Sequence, residues 1–342
     1  MVIFFQVKII TTLPETSFIL IIKEMILKLI FSKILKLLLS LERRMNFLST
    51  SIEQKQFPLN ETNTLVISGG GIKGLSALGA LFYFQEMFSM KITSYAGTSI
   101  GAIICCLLAI GYRAIDIHFY LEQSTFYRDI QQFHLNKLLQ GNGILPWRLI
   151  SYHLEKMIRD KISYIPTFRD IKNRFGIHLT LVTFNVTDRR PEYLNVDTHP
   201  DLSCLEAIRM SANVPLLFDR FRYRGKEYLD GGMICNYPIS FYSQSHHKTI
   251  GINLGGDTFI TGQETYIEFL LTVLSMPYNY HNTAQTQGKV QDLNIPSTVA
   301  SFNFNLPLEK RKEMFIVGFN LAKIKFPLLP VPKKKLIRSK SF

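Results

Sequence analysis

The chain has 342 residues, of which 47% are hydrophobic and 19% charged, and its formal net charge is +13. This length and composition exclude a mostly disordered protein and indicate one large or two small globular domains. The excess charge is concentrated at the ends, since residues 1–50 carry a net +4 and the last ten residues +5. No helix-turn-helix, zinc-finger or RNP-type pattern accompanies it, so we expect no nucleic-acid partner. Two interpretations of the basic C-terminus stay open, a solvated tail and contact with anionic lipid.

Residues 1–60 are apolar and basic, and we treat them as a separate N-terminal segment. Its most apolar part, residues 17–44, is interrupted by Lys23, Glu24, Lys28 and other charges. A charge near the bilayer centre costs about 2.5–3.5 kcal/mol, which argues against a clean span. The charges also scatter around a helix, and the features of a secretory signal are missing. Interfacial association, a buried packing helix and a single span remain alternatives; we expect an intracellular, membrane-associated protein.

The pattern after residue 63 alternates between apolar strands and helices. Residues 64–67 are typical of a buried parallel strand, 75–87 of a helix, 92–97 of a second strand and 102–112 of another buried helix. Strands alternating with glycine-rich turns and helices predict an α/β fold with a mostly parallel sheet.

A glycine-rich turn, GGGIKG, follows the first predicted strand and contains Gly69, Gly70, Gly71 and Gly74. Bare N–H groups at a helix start attract negative charge. The turn fits the dinucleotide pattern GxGxxG, but the acidic residue that should follow the second strand is absent, so a bound pyrophosphate is disfavoured. The alternative is a transient oxyanion.

The second predicted strand leads directly into a GxSxG motif, Gly97 to Gly101, centred on Ser99. In a strand–nucleophile–helix elbow, the two glycines relieve crowding and the serine hydroxyl is presented at the helix start. The glycine turn would lie on the neighbouring strand, in the layout of an oxyanion hole. We therefore interpret Ser99 as a candidate nucleophile.

A serine nucleophile needs a base, and none of the eight histidines lies in a recognisable loop after a late strand. Asp230 does, because residues 222–238 read as a strand that ends in Asp230-Gly231-Gly232. An Asp-Gly hairpin turn is the competing interpretation of this motif.

Three motifs in this order, GGGIKG, GTSIG and DGG, resemble the patatin-like phospholipase family, and the resemblance covers about residues 64–240. It implies a three-layer α/β/α fold and a Ser–Asp dyad without histidine, with Ser99 as nucleophile and Asp230 as base. It also implies that N–H groups around Gly70 and Gly71 bind the oxyanion, and that the substrate is an acyl ester of a phospholipid or neutral lipid. Transacylation, lipid binding without catalysis, and nucleotide binding are the alternatives.

We expect the catalytic domain to span residues 61–245, and residues 246–342 to form a helical extension with a basic tail. Within the extension, residues 264–276 and 302–326 contain predicted helices. No metal-ligand pattern is visible, so we expect no metal and no cofactor. The cysteines, Cys105, Cys106, Cys204 and Cys235, lie in apolar stretches and are expected to be reduced core residues.

Overall fold

An eight-stranded sheet forms the centre of the protein. The computed structural model describes residues 58–131, 143–243, 248–255 and 290–328. The strands in these ranges are β1 (Thr64–Ile67), β2 (Ser94–Thr98), β3 (His178–Asn185), β4 (Arg190–Leu194), β5 (Phe221–Tyr223), β6 (Lys226–Asp230), β7 (Thr249–Asn253) and β8 (Val290–Asn294). Strand pairing links them in the order β5-β6-β3-β2-β1-β7-β8, and β4 pairs with β3 outside this path.

Helices cover the two faces of the sheet. They are α1 (Gly74–Met87), α2 (Ile100–Ala109), α3 (Ala114–Gln123), α4 (Phe126–Ile130), α5 (Trp147–Ile162), α6 (Phe168–Phe175), α7 (Cys204–Ser211), α8 (Ser240–Ser243) and α9 (Leu308–Lys325). The three-layer α/β/α architecture is therefore confirmed.

The centre of the sheet is parallel, as predicted. Strands β1, β2, β3, β7 and β8 all run in the same direction. Every residue of β1 is buried, as expected of a parallel strand with helices on both faces. The first four predicted elements are confirmed as β1, α1, β2 and α2.

The two residues of the candidate dyad, Ser99 and Asp230, are brought together by the pairing of β2 and β6 with β3. One edge of β3 is occupied by β4 from Leu181 to Asn185, so β2 and β6 share the other edge. There Thr98 lies opposite Val182 in parallel pairing, and Asp230 lies opposite Thr183 in antiparallel pairing. Since the two strands run towards each other, their C-terminal ends meet between adjacent residues of β3.

Helix α9 packs closely along α1. The backbones approach at Gly79 and Gly318, where a Cβ atom would overlap the carbonyl oxygens of Phe315 and Ser76 respectively. Aromatic rings fill the rest of the contact, with Phe319 edge-on to Tyr83 at 5.4 Å between ring centroids. The final helix predicted within residues 302–326 is thus confirmed, and it contributes to the core.

Two predictions from the sequence need correction. Residues 222–230 form a hairpin rather than one strand, because Arg224 and Gly225 both have positive φ (47° and 79°) and turn the chain between β5 and β6. The region after residue 245 is not only helical. It supplies β7, which pairs with the central strand β1, so the expected domain limit falls inside the sheet.

The described residues all belong to one compact unit, Gln56–Leu328. The apolar N-terminal segment up to residue 57, the basic tail from residue 329 and the predicted helix at 264–276 lie outside the described residues. Within the described part, no single helix is long and apolar enough to cross a membrane, and only α2 and α3 together, bent by 118°, pass by length and composition.

The cysteines are free thiols in the described chain. Cys105, Cys106 and Cys204 are buried, which confirms the expected core placement, whereas Cys235 is half-buried.

Candidate active site

Ser99 lies at a strained turn between β2 and α2. Its φ of 56° and ψ of −121° are rare for a residue with a side chain, and such strain costs on the order of 1–3 kcal/mol. The backbone N–H of Ser99 donates to the Ser211 hydroxyl at 3.1 Å. The next residue begins α2, so the hydroxyl is placed at a helix N-terminus, as the GxSxG motif predicts.

The glycines on either side of Ser99 are required by close backbone contact. A Cβ at Gly97 would overlap the backbone of Gly101, and a Cβ at Gly101 would overlap the carbonyl oxygen of Ile67 at the end of β1. The two predicted support residues therefore allow the tight elbow to pack against the neighbouring strand.

Asp230 is the last residue of β6 and is buried. Burial raises the pKa of its carboxyl to about 7, and hydrogen bonds from Ser99 and Gly232 limit that rise. Oδ1 accepts the Gly232 N–H at 2.6 Å, and the Asp230 N–H donates to the carbonyl of Asn213 at 2.9 Å. A half-neutral carboxyl at pH 7 is suited to accept a proton from a nearby hydroxyl.

The pairing between the serine and the carboxylate is loose. The Ser99 side chain acts as a hydrogen-bond partner of Asp230, yet Oδ2 of Asp230 is buried without a partner of ordinary hydrogen-bond geometry among the described residues. This geometry is compatible with a catalytic pair, because catalytic hydrogen bonds are often poorly aligned until substrate is bound.

The competing interpretation of Asp230 as a hairpin residue does not fit its surroundings. The hairpin turn lies earlier, between β5 and β6. After Asp230 the chain enters a single 3-10 turn, Gly231–Met233, in which the backbone of Gly231 passes against Val182 of β3. Gly231 and Gly232 thus hold the carboxyl beside the elbow, in the supporting position the sequence indicated.

The N–H groups of the glycine-rich turn are of two kinds, those that have an acceptor in the described part of the chain and those that have none there. Gly69 donates to the carbonyl of Asn236 at 3.0 Å, and Gly74 donates within the turn Gly71–Lys73. For Gly70 and Gly71, no N–H acceptor is found in the described part of the chain. The predicted donor set of four is therefore reduced to Gly70 and Gly71.

Gly71 needs to be glycine for two reasons. Its φ is 55°, in the left-handed region, and a Cβ there would overlap the carbonyl oxygen of Ser301. At Gly69 a Cβ would press against Ser99 and the side chain of Asn236. The turn is therefore fitted closely around the elbow.

Sequence reasoning assigned no role to several residues that hold the site. Ser211 binds the Ser99 N–H, Asn213 fixes the Asp230 backbone, and Thr98 donates to the carbonyl of Cys235 at 2.9 Å. Asn236 contacts Gly69 through its carbonyl. Ser211 and Asn236 lie in the segments that carried the family resemblance, which was the available signal; spacing alone gave none.

An apolar cavity opens beside Ser99. The space within it is about 930 Å³ when the part open to solvent is included. Side chains from α1, α2, α3, α4 and α5 line it, together with residues of the 212–218 loop and two phenylalanines before α9. The cavity suits a long hydrocarbon chain better than a polar ligand.

His153 lines this cavity, but both of its ring nitrogens already have partners. The ring nitrogens of His153 contact the Tyr120 hydroxyl at 2.9 Å and Asp129 at 3.0 Å. With both nitrogens engaged, His153 has no free position from which to take the Ser99 proton.

No group of three or more His, Cys, Asp or Glu side chains that could hold a metal ion is found among the described residues. The expectation of metal-independent, cofactor-free activity stays a prediction.

Several known proteins are similar to this chain in sequence. The patatin-like phospholipase model matches residues 65–241. The probable lipid hydrolase 463L of Invertebrate iridescent virus 6 is 34% identical over 191 residues, 54% of this chain and 64% of that protein. An uncharacterized protein of Acanthamoeba polyphaga mimivirus is 28% identical over 292 residues, 79% of this chain and 95% of that one.

The fold is shared with a solved structure. VipD from Legionella pneumophila superposes with a TM-score of 0.51 and 18% identity, covering 82% of this chain and 72% of VipD. The family match spans slightly more than half of the chain and includes the glycine-rich turn, the serine elbow and the aspartate. This chain belongs to the patatin-like phospholipase family.

Proposed function

We propose that this protein hydrolyses acyl esters of lipids, with Ser99 as nucleophile and Asp230 as general base. The observation that carries the proposal is the meeting of a strained serine and a buried carboxyl of raised pKa beside an apolar cavity. The likeness to the probable lipid hydrolase of Invertebrate iridescent virus 6 supports the same reaction class.

The first half-reaction forms an acyl-enzyme. Asp230 accepts the Ser99 proton while Oγ attacks the ester carbonyl carbon, and the carbonyl oxygen becomes an oxyanion. The oxyanion then collapses, the bond to the alcohol oxygen breaks, and the proton on Asp230 passes to the departing alcohol. In the second half-reaction Asp230 takes a proton from water while the water oxygen attacks the acyl carbon. The bond from that carbon to Ser99 Oγ then breaks, the fatty acid leaves, and the proton on Asp230 returns to Oγ.

The N–H groups of Gly70 and Gly71 are the proposed oxyanion donors. They are free of other acceptors in the described chain, and they belong to a turn that packs against the Ser99 side chain through Gly69. Removal of one such donor typically lowers the rate by about 10²–10³. Helix α2 begins directly after Ser99, and the positive end of its dipole also stabilises the negative charge of the oxyanion.

We also place the substrate at an anionic membrane surface. Support comes from the sequence, in which 9 of the 13 excess positive charges lie in the first fifty and last ten residues. Basic residues near an anionic leaflet each contribute about 1 kcal/mol to binding. An intracellular, membrane-associated location is part of this proposal.

The Ser99→Ala variant tests the reaction directly. We expect kcat on a lipid ester to fall by at least about 10³, while the melting temperature changes little because only the hydroxyl is removed. A fluorophosphonate probe should label a Ser99-containing peptide in the wild type and leave the variant unlabelled.

Ser89→Ala is the matched control, because Ser89 is exposed and uses only its backbone N–H in a hydrogen bond. Retention of more than a few per cent of wild-type turnover by Ser99→Ala would show that the nucleophile lies elsewhere. Adding glycerol or a lysolipid to the same assay separates hydrolysis from transacylation by its products.

A further inference from the structure

A segment after the last strand forms one wall of the cavity beside Ser99. It comprises residues 296–307, between β8 and α9, and we call it the pocket strap. Two of its side chains, Phe302 and Phe304, line the same cavity as Ser99. The strap lies outside the residues matched by the family model, 65–241, so this wall belongs to the chain's own C-terminal region.

The pocket strap is tied to the glycine-rich turn. The carbonyl of Ser301 accepts the Ile72 N–H at 2.9 Å, and the backbone of Gly71 passes so close to Ser301 that no Cβ fits there. The residue next to Phe302 therefore contacts the turn that carries the proposed oxyanion donors.

Two further hydrogen bonds anchor the strap. Gln131, just after α4, donates to the carbonyl of Phe304 at 3.2 Å. Arg311 in the first turn of α9 donates to the carbonyl of Leu306 at 2.8 Å and pairs with both carboxylate oxygens of Glu122 at 3.1 Å. The Arg311–Glu122 pair is largely buried. Together these contacts hold the strap between α3, α4 and α9.

We propose that Phe302 and Phe304 determine the length of acyl chain that the cavity accepts. This inference rests on the proposed function, since it concerns the acyl group of the same substrate. The two rings form part of the wall of a cavity whose other lining side chains, aliphatic and aromatic, come from α1 to α5 and the 212–218 loop, and hydrogen bonds anchor the backbone of the strap. Replacement of either ring by a methyl group lengthens the space for hydrocarbon.

The expected effect follows from how apolar pockets discriminate. One methylene more or less in such a pocket changes kcat/KM by about 10–200-fold. We therefore expect Phe302→Ala and Phe304→Ala to raise the ratio of kcat/KM for palmitoyl over octanoyl p-nitrophenyl esters by at least about 10-fold. Phe302→Trp should lower that ratio.

Asn305→Ala is the matched control within the strap, because Asn305 is exposed and does not line the cavity. Its ratio should equal that of the wild type. Phe302→Leu and Phe304→Leu replace the alanine variants if circular dichroism shows that the latter do not fold.

A second measurement keeps this inference separate from the proposed reaction. In the Ser99→Ala background, thermal shifts by octanoic, lauric and palmitic acids report acyl binding without catalysis. If no variant hydrolyses any ester but the two phenylalanine changes move this fatty-acid preference, the proposed function fails and the strap inference stands. Unchanged ester ratios and unchanged fatty-acid preference in both folded variants would overturn the inference.

Discussion

In the proposed mechanism, the buried carboxyl of Asp230 couples activity to pH. Its pKa lies at about 7 because burial disfavours the charge, and the general base must be ionised to accept the serine proton. We expect kcat to rise as pH increases through about 7 and then to level off. In Asp230→Asn the amide cannot accept the proton, so kcat should fall by at least about 10² and the remaining rate should lose this titration.

The same residue makes an opposite contribution to stability. Between the ordinary value of 3.8 and about 7, the folded protein holds a proton that the unfolded chain releases, so wild-type stability falls as pH rises through this window. Asparagine does not titrate. The free energy of unfolding of Asp230→Asn in urea, measured relative to that of the wild type, should therefore rise by on the order of 1–3 kcal/mol between about pH 5 and about pH 8. A variant with full activity, or a difference independent of pH, would contradict the assigned role of the carboxyl.

The two proposed reacting residues could be predicted from the sequence because each lies in a motif whose glycines are needed locally. Gly97 and Gly101 touch each other across the elbow, and Gly231 passes against β3. The partners Ser211 and Asn213 could not be found in this way. They reach Ser99 and Asp230 through the packing of α7 and its following loop. No spacing rule links Ser211 to Ser99 across more than a hundred positions, and none links Asn213 to Asp230.

At the level of elements, the contact between α1 and α9 links the glycine-rich turn to the C-terminal region. Alanine is favoured over glycine by roughly 1 kcal/mol in an isolated helix. At Gly79, however, a Cβ would overlap the backbone of α9 at Phe315. Overpacking costs typically about 1–3 kcal/mol, so we expect Gly79→Ala to lower the free energy of unfolding in urea.

Asn320→Ala on the exposed face of α9 provides the comparison. It introduces alanine into a helix without a close contact and should be neutral or slightly stabilising. If Gly79→Ala proved as stable as Asn320→Ala, the close approach of the two helices would not exist in solution.

The strands after residue 245 show where pattern reading fails. Residues 249–253, TIGIN, form a short strand that is almost entirely buried, and two isoleucines in five residues are too short a pattern to separate a strand from a buried helix segment. Their identity as β7 comes from pairing with β1, far away in sequence. By contrast, the final helix predicted after a charged turn is confirmed as α9, whose 18 residues exceed the length of an ordinary strand.

At the level of the whole molecule, the sheet and the candidate site with its cavity are built from three parts of the described chain. The N-terminal half supplies the elbow and the glycine-rich turn, and the middle supplies Asp230. The region after residue 245 completes the sheet with β7 and β8 and closes the cavity with the pocket strap. The family match ends at residue 241. The shared motifs and the cavity wall formed by the pocket strap therefore come from different parts of the chain.

The charge distribution of the whole chain leads to a last prediction about membrane binding. Five basic residues lie within the last ten positions, Lys333, Lys334, Lys335, Arg338 and Lys340. At about 1 kcal/mol for each residue that reaches an anionic surface, their replacement by glutamine should weaken binding to phosphatidylserine-containing vesicles by at least about 10-fold. The wild-type affinity should also fall as salt is raised, because surface charges are screened.

The control replaces five exposed basic residues of the described chain by glutamine, Lys91, Arg128, Arg148, Lys172 and Lys325. Equal losses in both proteins in a flotation assay would assign binding to net charge alone, and no loss in either would remove the basic tail from the membrane proposal.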